Sequence, residues 1–137
     1  MKKITFVPAT LLILMFVLSA CGGSDNTSTT INVSFTEFLF TPDSFKIPAG
    51  QEITITGSNE GAVMHEFVIM KLGQKVGDNF GDEDEANIYW EFEVEPGDEV
   101  TTTFTAPTEP GEYQVVCGTE GHYIAGMTGK LTVVADK

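Results

Sequence analysis

The segment Cys117-Gly118-Thr119-Glu120-Gly121-His122-Tyr123-Ile124-Ala125-Gly126-Met127 sets a thiol, an imidazole and a thioether at the spacing C-x4-H-x4-M. Only one further histidine exists in the chain, His65. Two imidazoles, one thiolate and a weak thioether form the donor set of a mononuclear copper site that passes electrons. The sulfur donors are soft and suit Cu(I), while imidazole suits both oxidation states. Zinc also takes Cys and His, but a thioether is a poor zinc ligand. A nucleophilic role for Cys117 needs an oriented Cys–His pair beside an open substrate pocket. Four filled ligand positions leave no such opening, so the residues do not point to an enzyme.

These side chains must be held by strands. Ile31-Asn32-Val33-Ser34-Phe35 and Glu52-Ile53-Thr54-Ile55-Thr56 alternate with period two. Phe45 to Ile47, Val63 to Met70, Tyr89 to Val94, Glu99 to Thr105, Glu112 to Cys117 and Thr128 to Val134 complete the set. Turn residues separate them: Thr41-Pro42-Asp43-Ser44, Pro48-Ala49-Gly50, Asn59-Glu60-Gly61, Pro96-Gly97-Asp98 and Pro110-Gly111. About seven to eight strands at this spacing predict an all-β sandwich. By alternation Tyr113, Val115 and Cys117 share one face of their strand, and His65, Phe67 and Ile69 one face of theirs. Both faces are apolar, so both ligands point into the top of a core. Met64 and Met70 fall on the face opposite His65 and read as packing. Tyr113 is expected to pack and hydrogen-bond at a strand corner. Lys71 to Ala86 carries Gly73, Gly77, Asn79, Gly81 and the run Asp82-Glu83-Asp84-Glu85. It reads as a long solvated loop with room for a short helix, or else as an acidic docking patch.

The turn Pro48-Ala49-Gly50, the stretch Asn59-Glu60-Gly61 leading to His65, the strand Gly111 to Cys117 and the closing Gly126 to Val133 together resemble the cupredoxin family of blue copper proteins. The likeness covers Ile31 to Val134, and the ligand spacing is most similar to the auracyanin subgroup. It implies a Greek-key β-sandwich with His65, Cys117 and His122 as equatorial copper ligands and Met127 as the long axial one. It also implies that the His122 ring edge reaches the surface beside an apolar patch, to which Ile124 and Ala125 contribute. Two features depart from the family pattern. Glu66 stands where an Asn or Ser often follows the first His, and the region from Lys71 to Glu99 is longer than in the smallest members.

The start of the chain has a separate character. Lys2 and Lys3 precede an uncharged stretch from Ile4 to Ala20. A basic start, an apolar run and small residues make up a secretory signal. Leu18-Ser19-Ala20-Cys21 resembles the lipobox of bacterial lipoproteins, which implies cleavage before Cys21 and a lipid on its sulfur. The alternative is an uncleaved membrane anchor. Either reading places the domain outside the cytoplasmic membrane. Residues 21–30 then form the lipidated Cys and a flexible tether with a reach of roughly 15–18 Å, and 31–137 the copper-binding domain.

Composition narrows the partners. The chain has 137 residues, 7 Lys and no Arg against 20 acids, for a net charge of −13. Loss of Lys2 and Lys3 with the signal takes this to −15. Nucleic-acid binding needs clustered cations and is excluded. The expected partners are redox proteins, among them a basic cytochrome, with the membrane engaged by the lipid and the protein itself a monomer. Two other uses of the same residues stay open: a copper carrier or sensor that hands on metal, and a structural or adhesive sandwich with no metal.

Overall fold

The computed structural model describes residues 26–135, so the signal and Cys21 lie outside the described residues. Nine strands follow one another: β1 (Thr30–Thr36), β2 (Leu39–Thr41), β3 (Ser44–Pro48), β4 (Glu52–Asn59), β5 (His65–Met70), β6 (Ile88–Val94), β7 (Glu99–Thr105), β8 (Gly111–Val116) and β9 (Thr128–Val134). They form a four-stranded sheet ordered β2-β1-β4-β7 and a five-stranded sheet ordered β3-β9-β8-β5-β6. The parallel pairs β1–β4 and β3–β9 join strands distant in sequence, while the remaining neighbours are antiparallel. The all-β sandwich expected from the period-two runs is therefore present. The additional strand is β2, three residues too short to show alternation on its own.

Alternation dictates the core. In β4, Ile53 and Ile55 are fully buried between half-exposed threonines. Phe35 joins them from neighbouring β1, and Phe67, Ile69, Val115 and Leu131 meet them from the facing sheet. Phe67 is ringed edge-on by Phe40 and Phe45, at centroid distances of 5.4 and 5.5 Å. Burying such a side chain contributes roughly 1.5–3 kcal/mol. Trp90 stacks on Phe104 at 4.5 Å and closes the side of the sandwich between β6 and β7. Gly57 is required in this packing. A Cβ there would lie 2.8 Å from both Phe35 and Phe92 ring carbons. Tyr113 donates its hydroxyl to the Glu109 carbonyl at 2.7 Å, the corner bond expected of it.

The segment between β5 and β6 corrects the expectation of a solvated loop. Val76 is buried, and with half-buried Phe80, Ile88 and Tyr123 it covers Val68, Met70 and Val116 on the outer face of the five-stranded sheet. Val76 N–H donates to the Gln114 side chain and Val76 carbonyl accepts from the Tyr123 hydroxyl. Asp84, inside the acidic run, is also buried and accepts the Gly81 N–H. One 3-10 turn, Glu85–Asn87, leads into β6. Glycines and an asparagine in this stretch hid a small second core. Among the described residues no helix is long and apolar enough to cross a membrane.

Candidate metal centre

Two adjacent central strands of the five-stranded sheet, β5 and β8, deliver the first donors. His65 opens β5 and Cys117 follows the last residue of β8. Both are fully buried, as the alternation of Phe67/Ile69 and Tyr113/Val115 requires. The loop from Cys117 to β9 folds back on itself. Cys117 N–H donates to the Met127 carbonyl, and Met127 N–H to the His122 carbonyl, both at 3.0 Å. Gly121 and Gly126 take positive φ, 80° and 101°, which side chains resist. This closure brings His122 over Cys117 and buries Met127 completely.

The donor atoms converge. His65 Nδ1 and His122 Nδ1 are 3.1 Å apart. Cys117 Sγ lies 3.3 Å from His122 Nδ1 and 3.8 Å from His65 Nδ1. Donors held about 2.0–2.3 Å from one ion stand roughly 3–4 Å from each other, so a single ion fits. The structure thus brings together His65, Cys117 and His122, with Met127 tied to them through backbone bonds. Coordination through both Nδ1 atoms puts each ring proton on Nε2.

The surroundings favour neutral imidazoles. Burial lowers the His65 pKa, helped by neighbouring His122 and opposed by Glu37. Burial likewise lowers that of His122, again opposed by Glu37. Burial pushes the Cys117 thiol up, while hydrogen bonds from Thr119 and from the Glu66 N–H pull it down. The Glu66 N–H points at Cys117 Sγ from 3.5 Å. So Glu66 acts here through its backbone. Its side chain turns to the face opposite His65, as strand alternation requires, and packs against Gly118.

Several contributors were not evident from the sequence. Asn59 ends β4 instead of opening a loop, and it is 3% exposed. Its amide donates to the carbonyls of Val63 and Val94 at 2.8 Å, and its oxygen accepts the Gly61 N–H. Residues 61–64 are thereby pinned as a turn, so β5 begins at His65 rather than Val63. Phe38, between β1 and β2, sets its ring edge-on to His122 at 5.0 Å. His122 retains only 6% exposure, less than the expected surface-reaching edge. Phe38 against it and Ile124 two residues on in the same loop are exposed apolar residues. An Asn and a Phe beside short turns carry no periodic signal, so only the folded chain discloses them.

A Cupredoxin-like domain model matches residues 8–133. This chain belongs to the cupredoxin-like family. This cupredoxin is 28% identical to Auracyanin-B of Chloroflexus aurantiacus over 110 residues, 69% of the chain. It spans about half of that relative, 46% of its length. Among solved structures, the reduced auracyanin of Roseiflexus castenholzii superposes with a TM-score of 0.66 at 33% identity, covering 79% of this chain and 98% of the other. Auracyanin A of Chloroflexus aurantiacus, described as a blue copper protein, gives 0.61 at 29% identity, covering 77% and 98%. A multicopper oxidase at 17% identity and a TM-score of 0.56 shares the fold alone. Family and donor set agree on one copper as the resident ion.

Proposed function

We propose that this cupredoxin is a lipid-anchored, extracytoplasmic carrier of single electrons, with His65, Cys117, His122 and Met127 holding its copper. The observation that carries the reading is the convergence of two imidazole Nδ1 atoms and one thiol sulfur in a buried pocket. Copper supplies the one-electron couple Cu(II)/Cu(I) when bound. The protein supplies a fixed cage. His65 and Cys117 sit on paired strands, and the backbone bonds of the ligand loop hold His122 and Met127 in register with Cys117. A cage that does not rearrange between oxidation states keeps the reorganisation energy low. Burial of every candidate ligand excludes water. His122 is the least covered ligand, so it is the exit and entry point for electrons, with Phe38 partly covering its ring. The same closed cage does not favour handing on the metal, and no described donor set provides a second site for a transfer reaction.

The membrane attachment rests on the Leu18-Ser19-Ala20-Cys21 motif. The partners follow from charge. With 20 acids against 7 Lys, association with a cationic redox protein is favoured, and salt weakens it. Glu91 and Glu93 on the outer edge of β6, with Glu85 close to the ligand loop and Glu120 on it, present that charge beside the metal end.

Copper loading followed by oxidation tests the redox reading. The expected result is an intense visible thiolate-to-copper band and a mononuclear Cu(II) resonance signal, both lost in Cys117→Ser. A colourless protein with stoichiometric copper overturns it. Exchange of copper with an acceptor faster than exchange of electrons overturns it in favour of a metal carrier.

A further inference from the structure

His65 Nε2 is a buried nitrogen with no hydrogen-bond partner among the described residues. With Nδ1 aimed at the metal position, Nε2 must carry the ring proton. A buried N–H without an acceptor is costly, so this one calls for an explanation. The nearest anionic group is the Glu37 carboxylate, whose Oε1 stands 3.6 Å from Nε2. That carboxylate is itself held. Oε1 accepts the N–H of Ala62 at 2.6 Å and of Val63 at 3.2 Å. Gly61 makes room for it, since a Cβ there would lie 2.5 Å from Oε1. The next residue, Phe38, reaches the other imidazole. The turn between β1 and β2 therefore touches both histidines from outside the ligand loop.

We propose that Glu37 is the positioning residue for His65, accepting the Nε2 proton through its carboxylate and so setting the copper potential. Three observations meet here: an orphaned ring N–H, a carboxylate anchored by two backbone donors, and a glycine that a side chain would turn into an obstruction. The 3.6 Å separation is just beyond hydrogen-bond length. A relative shift of the ring and the carboxylate by a few tenths of an ångström would close it. A carboxylate behind a ligand imidazole raises its donor strength. A stronger, more anionic donor favours Cu(II) over Cu(I), so Glu37 lowers the reduction potential. The inference rests on His65 being a copper ligand.

Glu37→Gln is the test. The Gln side-chain oxygen can still accept the Ala62 and Val63 N–H groups, so the turn is kept while the charge is lost. Outer partners of this kind change metal affinity by about 10–100-fold. The lower figure, borne by Cu(II) alone, shifts the Cu(II)/Cu(I) equilibrium tenfold, a rise of about 59 mV for one electron. The expected result is that rise with the visible band retained. An unchanged potential with the band retained overturns the role of Glu37. Absence of the band in the unsubstituted protein instead overturns the copper reading beneath it. A second measurement needs no variant. In the Cu(I)-loaded protein, nitrogen-edited proton spectra should show the His65 Nε2–H as a downfield, slowly exchanging resonance. A His65 Nε2–H at the unbonded position, or a bare Nε2, overturns the proposal whether or not the Gln variant binds copper.

Discussion

Replacing Asn59 is expected to loosen the metal end of the sandwich without touching a ligand. Its side chain makes three hydrogen bonds from a position that is 3% exposed, to Val63, Val94 and Gly61. Buried neutral hydrogen bonds contribute about 0.5–1.5 kcal/mol each. Asn59→Ala should then cost about 3 kcal/mol. In a domain near 100 residues, 1 kcal/mol moves Tm by about 4 °C or more, which gives a fall of about 10–15 °C. Asn59→Asp sharpens the test. It preserves shape, yet its carboxylate would face two carbonyl oxygens at the 2.8 Å now spanned by N–H donors. Asp should therefore be at least as damaging as Ala, whereas a simple space-filling role ranks Ala as the worse. The assay is thermal unfolding followed by circular dichroism, paired with the visible spectrum of the copper form. The spectrum should broaden in both variants, because the turn at 61–64 that places His65 loses its anchor. A fall below about 3 °C, or an Asp variant close to wild type, refutes the reasoning.

Other expectations follow from single contacts. Glu66 and Glu93 are direct cross-strand partners, and burial followed by the charges of Glu93, Glu91 and Glu85 raises the Glu66 pKa. The ionised form is thus disfavoured in the folded state. Glu66→Gln should stabilise by roughly 0.2–1 kcal/mol at neutral pH, and urea midpoints of the two proteins should converge as pH falls through the raised Glu66 pKa. A gain that persists in acid contradicts this. Gly129→Ala places a Cβ 2.6 Å from the Asp43 carbonyl oxygen, and rigid backbone cannot give way as a side-chain tip can. A loss of about 1–3 kcal/mol in denaturant unfolding is expected. Phe38→Ala uncovers His122 and should speed oxidation by a small outer-sphere reagent while leaving the visible band in place; an unchanged rate argues against electron exit there.

The donor set was legible in the sequence because it is compact. Cys117, His122 and Met127 share one loop, and period-two alternation is enough to turn His65 and Cys117 inward. The fold class followed from the same alternation. What stayed hidden was whatever depends on contacts between distant segments. Glu37 and His65 are 28 positions apart, and nothing in either local pattern announces the other. The strand β2 is too brief for periodicity, and Val76 and Phe80 are isolated apolar residues among turn formers. Asn59 looks like a turn residue by type, and only its burial between β4 and β6 gives it a different task.

The outer layer formed by residues 76–88 has a consequence for motion. Val68, Met70 and Val116 lie beneath it while Phe67, Ile69 and Val115 face the main core, so β5 and β8 are buried on both sides. Both are also interior strands, flanked on each edge by another. Their amides have no local route to solvent, and hydrogen exchange there should require opening of the whole domain. The slowest-exchanging part of the chain and the part that delivers His65 and Cys117 are then the same two strands. The protein's most persistent structure is spent on keeping an imidazole and a sulfur still while the charge between them changes.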